Sequence, residues 1–243
     1  MPQINRMVII IPTLNEVDSA SNMINSIFLE FPEISILVVD DSSNDGTTES
    51  IRNLKKKYVN LFLIERSNEK GLGSAYRCGF EFAQKNNYKH VIQMDADGSH
   101  QVANLMNLVY APIEIDAVVG SRYIKGGGIL GWGLKRKLIS KFGNYFARFM
   151  LRLKVKDATS GFKRLSERVF CDTELRNSKT NGYAFQIEIL HACKLRNYSQ
   201  IEAPITFIDR RFGTSKFDKF ILSEAFFSVV KWALKKSRKE NIT

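Results

Sequence analysis

Cysteine and histidine are scarce, three of each in 243 residues. Cys78, Cys171 and Cys193 lie far apart with no C-x-x-C spacing, which excludes a disulfide framework and points to a reduced, cytosolic chain. His90, His100 and His191 show no zinc-ligand spacing, and no Ser-His-Asp or Cys-His arrangement stands out. No charged and apolar signal segment precedes the first strand. No G-x-G-x-x-G follows that strand either. Its place is taken by Pro12-Thr13-Leu14-Asn15-Glu16, which argues against a nicotinamide dinucleotide. Repeats and long low-complexity linkers are absent, so the chain reads as one large domain or a domain with an appendage. What it has in excess is positive charge. A net +11 calls for an anionic partner, whether nucleic acid, a phosphorylated substrate or an anionic membrane surface.

Short apolar runs alternate with helical patterns along the first half. Met7-Val8-Ile9-Ile10-Ile11 predicts a buried strand ended by Pro12, followed by a polar turn and a helix capped by Asp18 or Ser19. Ser35–Val39 predicts a second strand running into the acidic loop Asp40–Thr47, before a helix over 48–58. Leu61–Ile64 predicts a third strand, and Gly71 to Lys85 a helix. Tyr88–Ile92 then predicts a strand that delivers Asp95-Ala96-Asp97-Gly98-Ser99-His100 to the same sheet edge, where open α/β sheets bind ligands. This alternation implies a parallel, Rossmann-like sheet.

Asp95 and Asp97 are two carboxylates two residues apart. They repel unless something positive lies between them, and the economical partner is Mg2+ or Mn2+ bridging to phosphate oxygens. An isolated D-x-D also describes an acidic turn, so its context carries the argument. Gly71-Leu72-Gly73 offers backbone amides to a phosphate only weakly.

After a strand near 116–120 come Ser121-Arg122-Tyr123 and a glycine-rich loop, Lys125–Gly128, that reads as mobile. From Leu134 to Leu153 a helical wheel gathers Leu138, Ile139, Phe142, Tyr145, Phe146 and Phe149 on one face and Arg136, Lys137, Lys141, Arg148 and Arg152 on the other. Such a helix packs on a core or lies on a membrane surface. Ile201–Asp209, containing Pro204, reads as an edge strand feeding Arg210-Arg211-Phe212-Gly213-Thr214-Ser215-Lys216, a plausible phosphate-gripping loop. The last helix, from Phe217, ends in a lysine and arginine cluster suited to an anionic membrane surface.

Ile11-Pro12-Thr13-Leu14-Asn15-Glu16, Val39–Thr47 and Asp95–His100 together resemble family 2 glycosyltransferases with the GT-A fold. Gly120–Tyr123, Leu134–Ser140, Thr159–Phe162, Gly182–Glu188 and Asp209–Lys216 are similar to the dolichol-phosphate mannosyltransferases of that family. The resemblance runs in consistent order from Met7 to Lys216. It implies a GT-A catalytic domain, drawn over 1–216, while 217–243 reads from its own aromatic and basic composition as a membrane-facing helix and basic tail. It implies an inverting transfer of mannose from GDP-mannose to a polyprenyl (dolichyl) phosphate. Donor contacts would come from Pro12, Leu14, Glu16, Asp41, Asp95, Ala96, Asp97, Arg210 and Lys216. Asp95, Asp97 and Ser99 would serve a Mg2+ or Mn2+ ion. Arg122, Arg136 and Ser140 would receive the acceptor phosphate, and Asp97, Arg122 and Arg210 would carry the catalysis. Leu14 departs from an aromatic residue common at its position, and Gly98 from a usual leucine, which should loosen the metal loop.

The expected partners are therefore a sugar nucleotide, a polyprenyl phosphate and a membrane surface, reached peripherally from the cytosolic side through amphipathic segments or a small membrane-anchoring subunit. Transfer of glucose or another sugar, or transfer to a soluble glycan, is the alternative within enzymes. A nucleic-acid-binding module is the alternative outside them, predicting salt-dependent oligonucleotide binding that survives loss of Asp97. An inactive membrane-bound scaffold would bind vesicles without consuming a sugar nucleotide.

Overall fold

An unbroken apolar run is satisfied only where both faces of a strand are covered, and Met7 to Ile11 are all fully buried at the sheet's centre. The computed structural model describes residues 3–67, 71–209 and 219–240 and, within the last of these, the side chains of 223–234. The chain alternates through β1 (Met7–Thr13), α1 (Val17–Glu30), β2 (Ser35–Asp40), α2 (Thr47–Lys55), β3 (Leu61–Glu65), α3 (Leu72–Lys85), β4 (His90–Gln93), α4 (Val102–Val109) and β5 (Ala117–Ser121). There follow the short β6 (Gly128–Leu130), the long α5 (Leu134–Leu151), β7 (Lys163–Ser166), α6 (Glu167–Phe170) and α7 (Thr173–Arg176). Last come α8 (Ala184–Leu195), β8 (Gln200–Pro204), β9 (Thr206–Ile208) and α9 (Lys219–Glu240).

Among the described residues one seven-stranded sheet runs in the order β3-β2-β1-β4-β7-β5-β8, and β6 pairs with β9 in a two-stranded one. β7 is antiparallel to β4 and β5, and the remaining pairs are parallel. β1, β2, β4 and β5 therefore end at one edge, and β7 begins there. Strand order reverses between β1 and β4, which opens a ligand crevice at that edge. Helices cover both faces. Ile9 and Ile11 pack towards α1 and α4 with Ile24 and Leu105, and Val8 and Ile10 pack towards α3 and α8 with Phe80 and Phe185. The expected α/β architecture, a mostly parallel sheet flanked by helices, is the one observed.

Several local expectations are corrected. Pro12 does not end β1, because it pairs with Val39 inside the ladder. β4 reaches only to the level of Ile10, so beyond that point β1 has a neighbour on one side and tolerates a missing N–H. Helix α1 is capped neither by Asp18 nor by Ser19. The Glu16 and Val17 amides instead donate to Thr47 Oγ1 at 3.0 Å and Asp45 Oδ2 at 3.1 Å, supplied by the next loop. The glycine-rich segment is a tied turn, with the Gly128 amide donating to Ile205 O at 2.9 Å. A Cβ on Gly127 would lie 2.4 Å from Ser121 O. Strand β7 was not anticipated.

The expected boundary at 216/217 and the expected phosphate-gripping loop from Arg210 to Lys216 fall outside the described residues. Helix α9 packs on the body. Val229 is buried with Ala147, Leu151 and Leu190, Phe226 stacks on Phe146 with centroids 4.8 Å apart, and Trp232 stacks on His191.

Candidate active site

The loops after β1 and β2 are locked to each other. Asp40, buried at the end of β2, accepts from Thr13 Oγ1 (2.8 Å), the Ser43 amide (2.9 Å), Ser43 Oγ (2.6 Å) and Thr48 Oγ1 (3.2 Å). Asn15 and Ser42 take left-handed backbones, and the Asn15 amide donates to Ser43 Oγ at 2.8 Å. Asp41 is buried under Arg66, whose Nε lies 2.8 Å from Asp41 Oδ1, while the Gly71 amide donates to Asp41 Oδ2 at 2.9 Å. Pro12, Leu14 and Glu16 are half-buried along the same edge.

The loop after β4 turns through Gly98, exposed at φ +74°. A leucine there would strain the turn, so this glycine suits the loop rather than loosening it. The Asp95 amide donates to His100 Nδ1 at 3.2 Å, which requires a neutral imidazole with its proton on Nε2. Burial pushes the His100 pKa down and favours that form, although Asp95 and Asp97 pull the other way. The ring is clamped by Phe162 (centroids 4.9 Å) and Phe207 (5.7 Å). Burial, then the charge of Asp95, raises the pKa of Tyr76, whose hydroxyl lies 3.4 Å from Asp95 Oδ1. Gly161 passes so close that a Cβ would lie 3.0 Å from Asp95 Oδ2.

Asp95 and Asp97 open into a cavity of about 580 Å3 that also presents His100, Arg122, Arg136, Ser140 and Thr159. Arg122 is buried and forks onto Asp157, with Nε to Oδ2 and Nη2 to Oδ1 both at 2.7 Å; Nη2 also donates to Thr159 Oγ1 at 2.9 Å. Burial opposes the charge of each partner, and their attraction outweighs it. The Arg122 pKa is held up and that of Asp157 down. Arg136 lies over the Trp132 ring at 4.2 Å and donates to Asp209 Oδ1 at 2.7 Å. Tyr123 and Ser140 share a hydrogen bond of 2.8 Å. Asn144, buried on α5, donates to Thr159 Oγ1 at 2.9 Å and ties that helix to the floor. The far wall is apolar, with Ile139, Phe142 and Phe146 from α5 and Phe226, Phe227 and Val229 from α9.

The structure thus brings Asp95, Asp97, Arg122, Arg136 and Ser140 into one cavity. It places Pro12, Leu14, Glu16 and Asp41 beside it, at the ends of β1 and β2, and outside its lining. Ala96 packs in the core near Leu105. Ser99 is also outside the lining. It is fully buried, and its amide donates to Asp97 Oδ1 at 3.0 Å, so it supports the turn behind the carboxylate. Arg210 and Lys216 lie outside the described residues. Sequence reasoning missed Asp157, Asn144, Arg66 and Lys163. The last is fully buried between Ser160 O and Gln186 Oε1, and burial brings its pKa down to about 7.

Carboxylate oxygens suit a hard divalent cation. Among the described residues no three His, Cys, Asp or Glu cluster to hold a metal; Asp95 and Asp97 supply two carboxylates of the chemistry a hard divalent cation takes.

Residues 8–172 match the family model described as Glycosyl transferase family 2. The chain is 34% identical over 229 residues to a protein of Micrococcus luteus named undecaprenyl-phosphate mannosyltransferase, with 94% of each chain covered. It is 34% identical over 232 residues to the polyprenol monophosphomannose synthase of Mycolicibacterium smegmatis, covering 95% of this chain and 88% of the relative. In fold it is similar to glucosyl-3-phosphoglycerate synthase of Mycobacterium tuberculosis in complex with phosphoglyceric acid, with a TM-score of 0.68 at 16% identity over 93% of this chain and 79% of that one. The same synthase in complex with Mn2+, UDP-glucose and glycerol 3-phosphate gives a TM-score of 0.66 at 16% identity, with the same coverage.

Proposed function

The chain belongs to family 2 of the glycosyltransferases, with the GT-A fold, and we propose that it moves mannose from GDP-mannose to a polyprenyl phosphate, inverting the anomeric carbon. One observation carries this reading. A single cavity presents two carboxylates, two arginines and a serine, and an apolar wall from α5 and α9. That set of chemistries matches the needs of a sugar nucleotide, a phosphate and an isoprenoid tail. The mannosyl-transferring relatives support the same choice of acceptor and sugar.

Asp95 and Asp97 would hold Mg2+ or Mn2+, which supplies charge neutralisation for the leaving diphosphate when bound. The acceptor phosphate sits against Arg122, Arg136 and Ser140. Asp157 fixes the Arg122 fork, so its charge is preorganised and costs no rearrangement when the acceptor enters. A phosphate monoester has a second pKa of about 6 and is already an anionic nucleophile near neutral pH. Its oxygen forms the bond to the anomeric carbon as the bond to the GDP oxygen breaks, and no general base is required. His100, neutral and clamped between rings, serves to orient Asp95.

We further place Pro12, Leu14, Glu16 and Asp41 along the nucleotide, with Arg210 and Lys216 as further donor-phosphate contacts. Among the described residues no helix is long and apolar enough to cross a membrane. The proposal therefore puts the protein peripherally at the cytosolic face of a membrane, held by α5 and α9. The test is incubation with Mg2+ or Mn2+, a short polyprenyl phosphate and either GDP-mannose or UDP-glucose. Sugar should enter the lipid fraction from GDP-mannose and stop on chelation. Transfer from UDP-glucose alone would replace the donor, and no lipid product from either would overturn the assignment.

A further inference from the structure

On the other side of α5 lies a second cavity, of about 520 Å3, that the proposed transfer does not use. Lys137, Lys141 and Arg148 recur along α5 at helical spacing and line it together with Lys156, Tyr145 and Arg122. No carboxylate of the described residues is in the lining. Among the described residues none forms an ion pair with Lys137, Lys141, Arg148 or Lys156 either, although Arg136 and Arg122 close by are both paired. The Arg148 Nε is buried and makes no hydrogen bond there. Unpaired cations gathered round a concavity repel one another, and the arrangement is favourable only when an anion enters.

The neighbouring stripe of the same helix says which anion. Leu138, Phe142 and Phe149 stand one residue along from Lys137, Lys141 and Arg148, and with Tyr145 they are between 59% and 70% exposed. Phe227 of α9 is also exposed, at 69%. Large apolar side chains beside lysines and arginines are the pattern of a helix lying at a bilayer interface. A free phosphate has no use for that apolar border, whereas a phospholipid uses both parts. We infer that this cavity is a binding site for the headgroup of an anionic phospholipid, which fixes α5 at the membrane surface. Arg122 lines both cavities, and Tyr123 reaches Ser140 across the wall between them. A headgroup seated here would therefore set the height of the acceptor cavity above the lipid. The inference rests on the polyprenyl-phosphate reading only in supposing that the protein works at a membrane.

The test is co-sedimentation with phosphatidylcholine vesicles carrying or lacking phosphatidylglycerol, without donor or acceptor. The triple variant Lys137→Gln, Lys141→Gln, Lys156→Gln should lose on the order of a hundredfold in affinity for the phosphatidylglycerol vesicles. The control Lys55→Gln, Lys56→Gln, Lys57→Gln removes the same charge from exposed positions at and just after the end of α2, at the opposite edge of the sheet. It should change binding little, since surface attraction fades within about 10 Å. Equal losses in both triples, or none in the first, would overturn the site. At matched ionic strength inorganic phosphate should not raise the Tm; a rise that the first triple abolishes would make this a free-phosphate site and overturn the lipid assignment. Mannosyl transfer to acceptor in detergent micelles should survive the first triple. Failure of transfer in every form would count against the proposed function, while vesicle binding would still decide this inference.

Discussion

The floor of the candidate site and its rim are built on opposite terms. On the floor charges are answered within the chain: Asp41 by Arg66, Arg122 by Asp157, Asp40 by four donors. On the rim Phe142, Tyr145, Phe149 and Phe227 are exposed, and the α5 lysines have no ionic partner among the described residues. A floor satisfied by itself is rigid before substrate arrives, which is what electrostatic preorganisation requires. On the proposed reading the rim, unsatisfied among the described residues, finds its partners in lipid, which would divide the labour into chemistry below and attachment above.

Breaking the floor should cost most. Asp157→Ala leaves the Arg122 guanidinium buried without its counter-charge and should lose about 3–5 kcal/mol in urea unfolding. Replacing both, Arg122→Met with Asp157→Leu, should recover much of that stability while lipid glycosylation stays absent, which separates the pair's two roles. Next comes Asp97→Ala. The fold should survive, because Asp97 lines the cavity rather than the apolar core, with its carboxylate accepting from the Ser99 amide of its own turn. Turnover of GDP-mannose onto lipid should fall by about a hundredfold to a thousandfold. Near-normal turnover would remove the acidic pair from the mechanism.

Much of this division was legible in the sequence, and the missing parts share a cause. The runs at 7–11, 35–39 and 117–119 are buried on both faces and announce themselves as strands. Asp95 and Asp97 follow the shorter β4, and Arg122 follows the last of these runs, so the topology alone delivers them to one edge. β7 was not legible because it begins with Lys163 and Arg164, two fully buried cations that depend on partners distant in sequence: Gln186, beside the nearby Ser160 O, for one, and the carbonyls of Leu108, Ala111 and Pro112 for the other. No local pattern predicts a strand of charges. The cap of α1 failed for the same reason, since its acceptors arrive from Asp45 and Thr47. On α5 the wheel found two faces and left open whether the aromatic one packs on the core or lies on a membrane. The helix is seated by Asn144, Ala147 and Leu151, and most of the aromatic face is exposed.

Lys163 gives a smaller way to probe the floor, through pH. Its ordinary pKa of 10.5 is brought down to about 7 by burial, with Asp157 and Asp95 opposing. Between about pH 7 and 10.5 the unfolded chain then binds more protons than the folded one, so this residue makes stability rise with pH across that window. Below it both states are protonated and the full cost of burying the ammonium is present. Urea midpoints of the native protein should rise from neutral to mildly alkaline pH relative to those of Lys163→Met. Parallel curves would mean that the ammonium keeps its proton through Ser160 O and Gln186 Oε1.

The smallest effect on stability should come from the rim, and there the comparison is sharpest. Phe142→Ser with Phe149→Ser removes two rings that are each 70% exposed. Little apolar surface leaves the core with them, so the urea midpoint should stay within about 0.5 kcal/mol of the native value, the range of ordinary surface changes. A soluble protein gains nothing from holding such rings in water, whereas a protein that buries them in lipid loses on the order of 2 kcal/mol per ring when they are cut away. Vesicle binding should therefore weaken strongly in a variant that folds normally and whose floor is intact. If stability fell instead and vesicle binding held, the aromatic face would be part of the fold after all, and α5 would have to dock on the bilayer through some other surface.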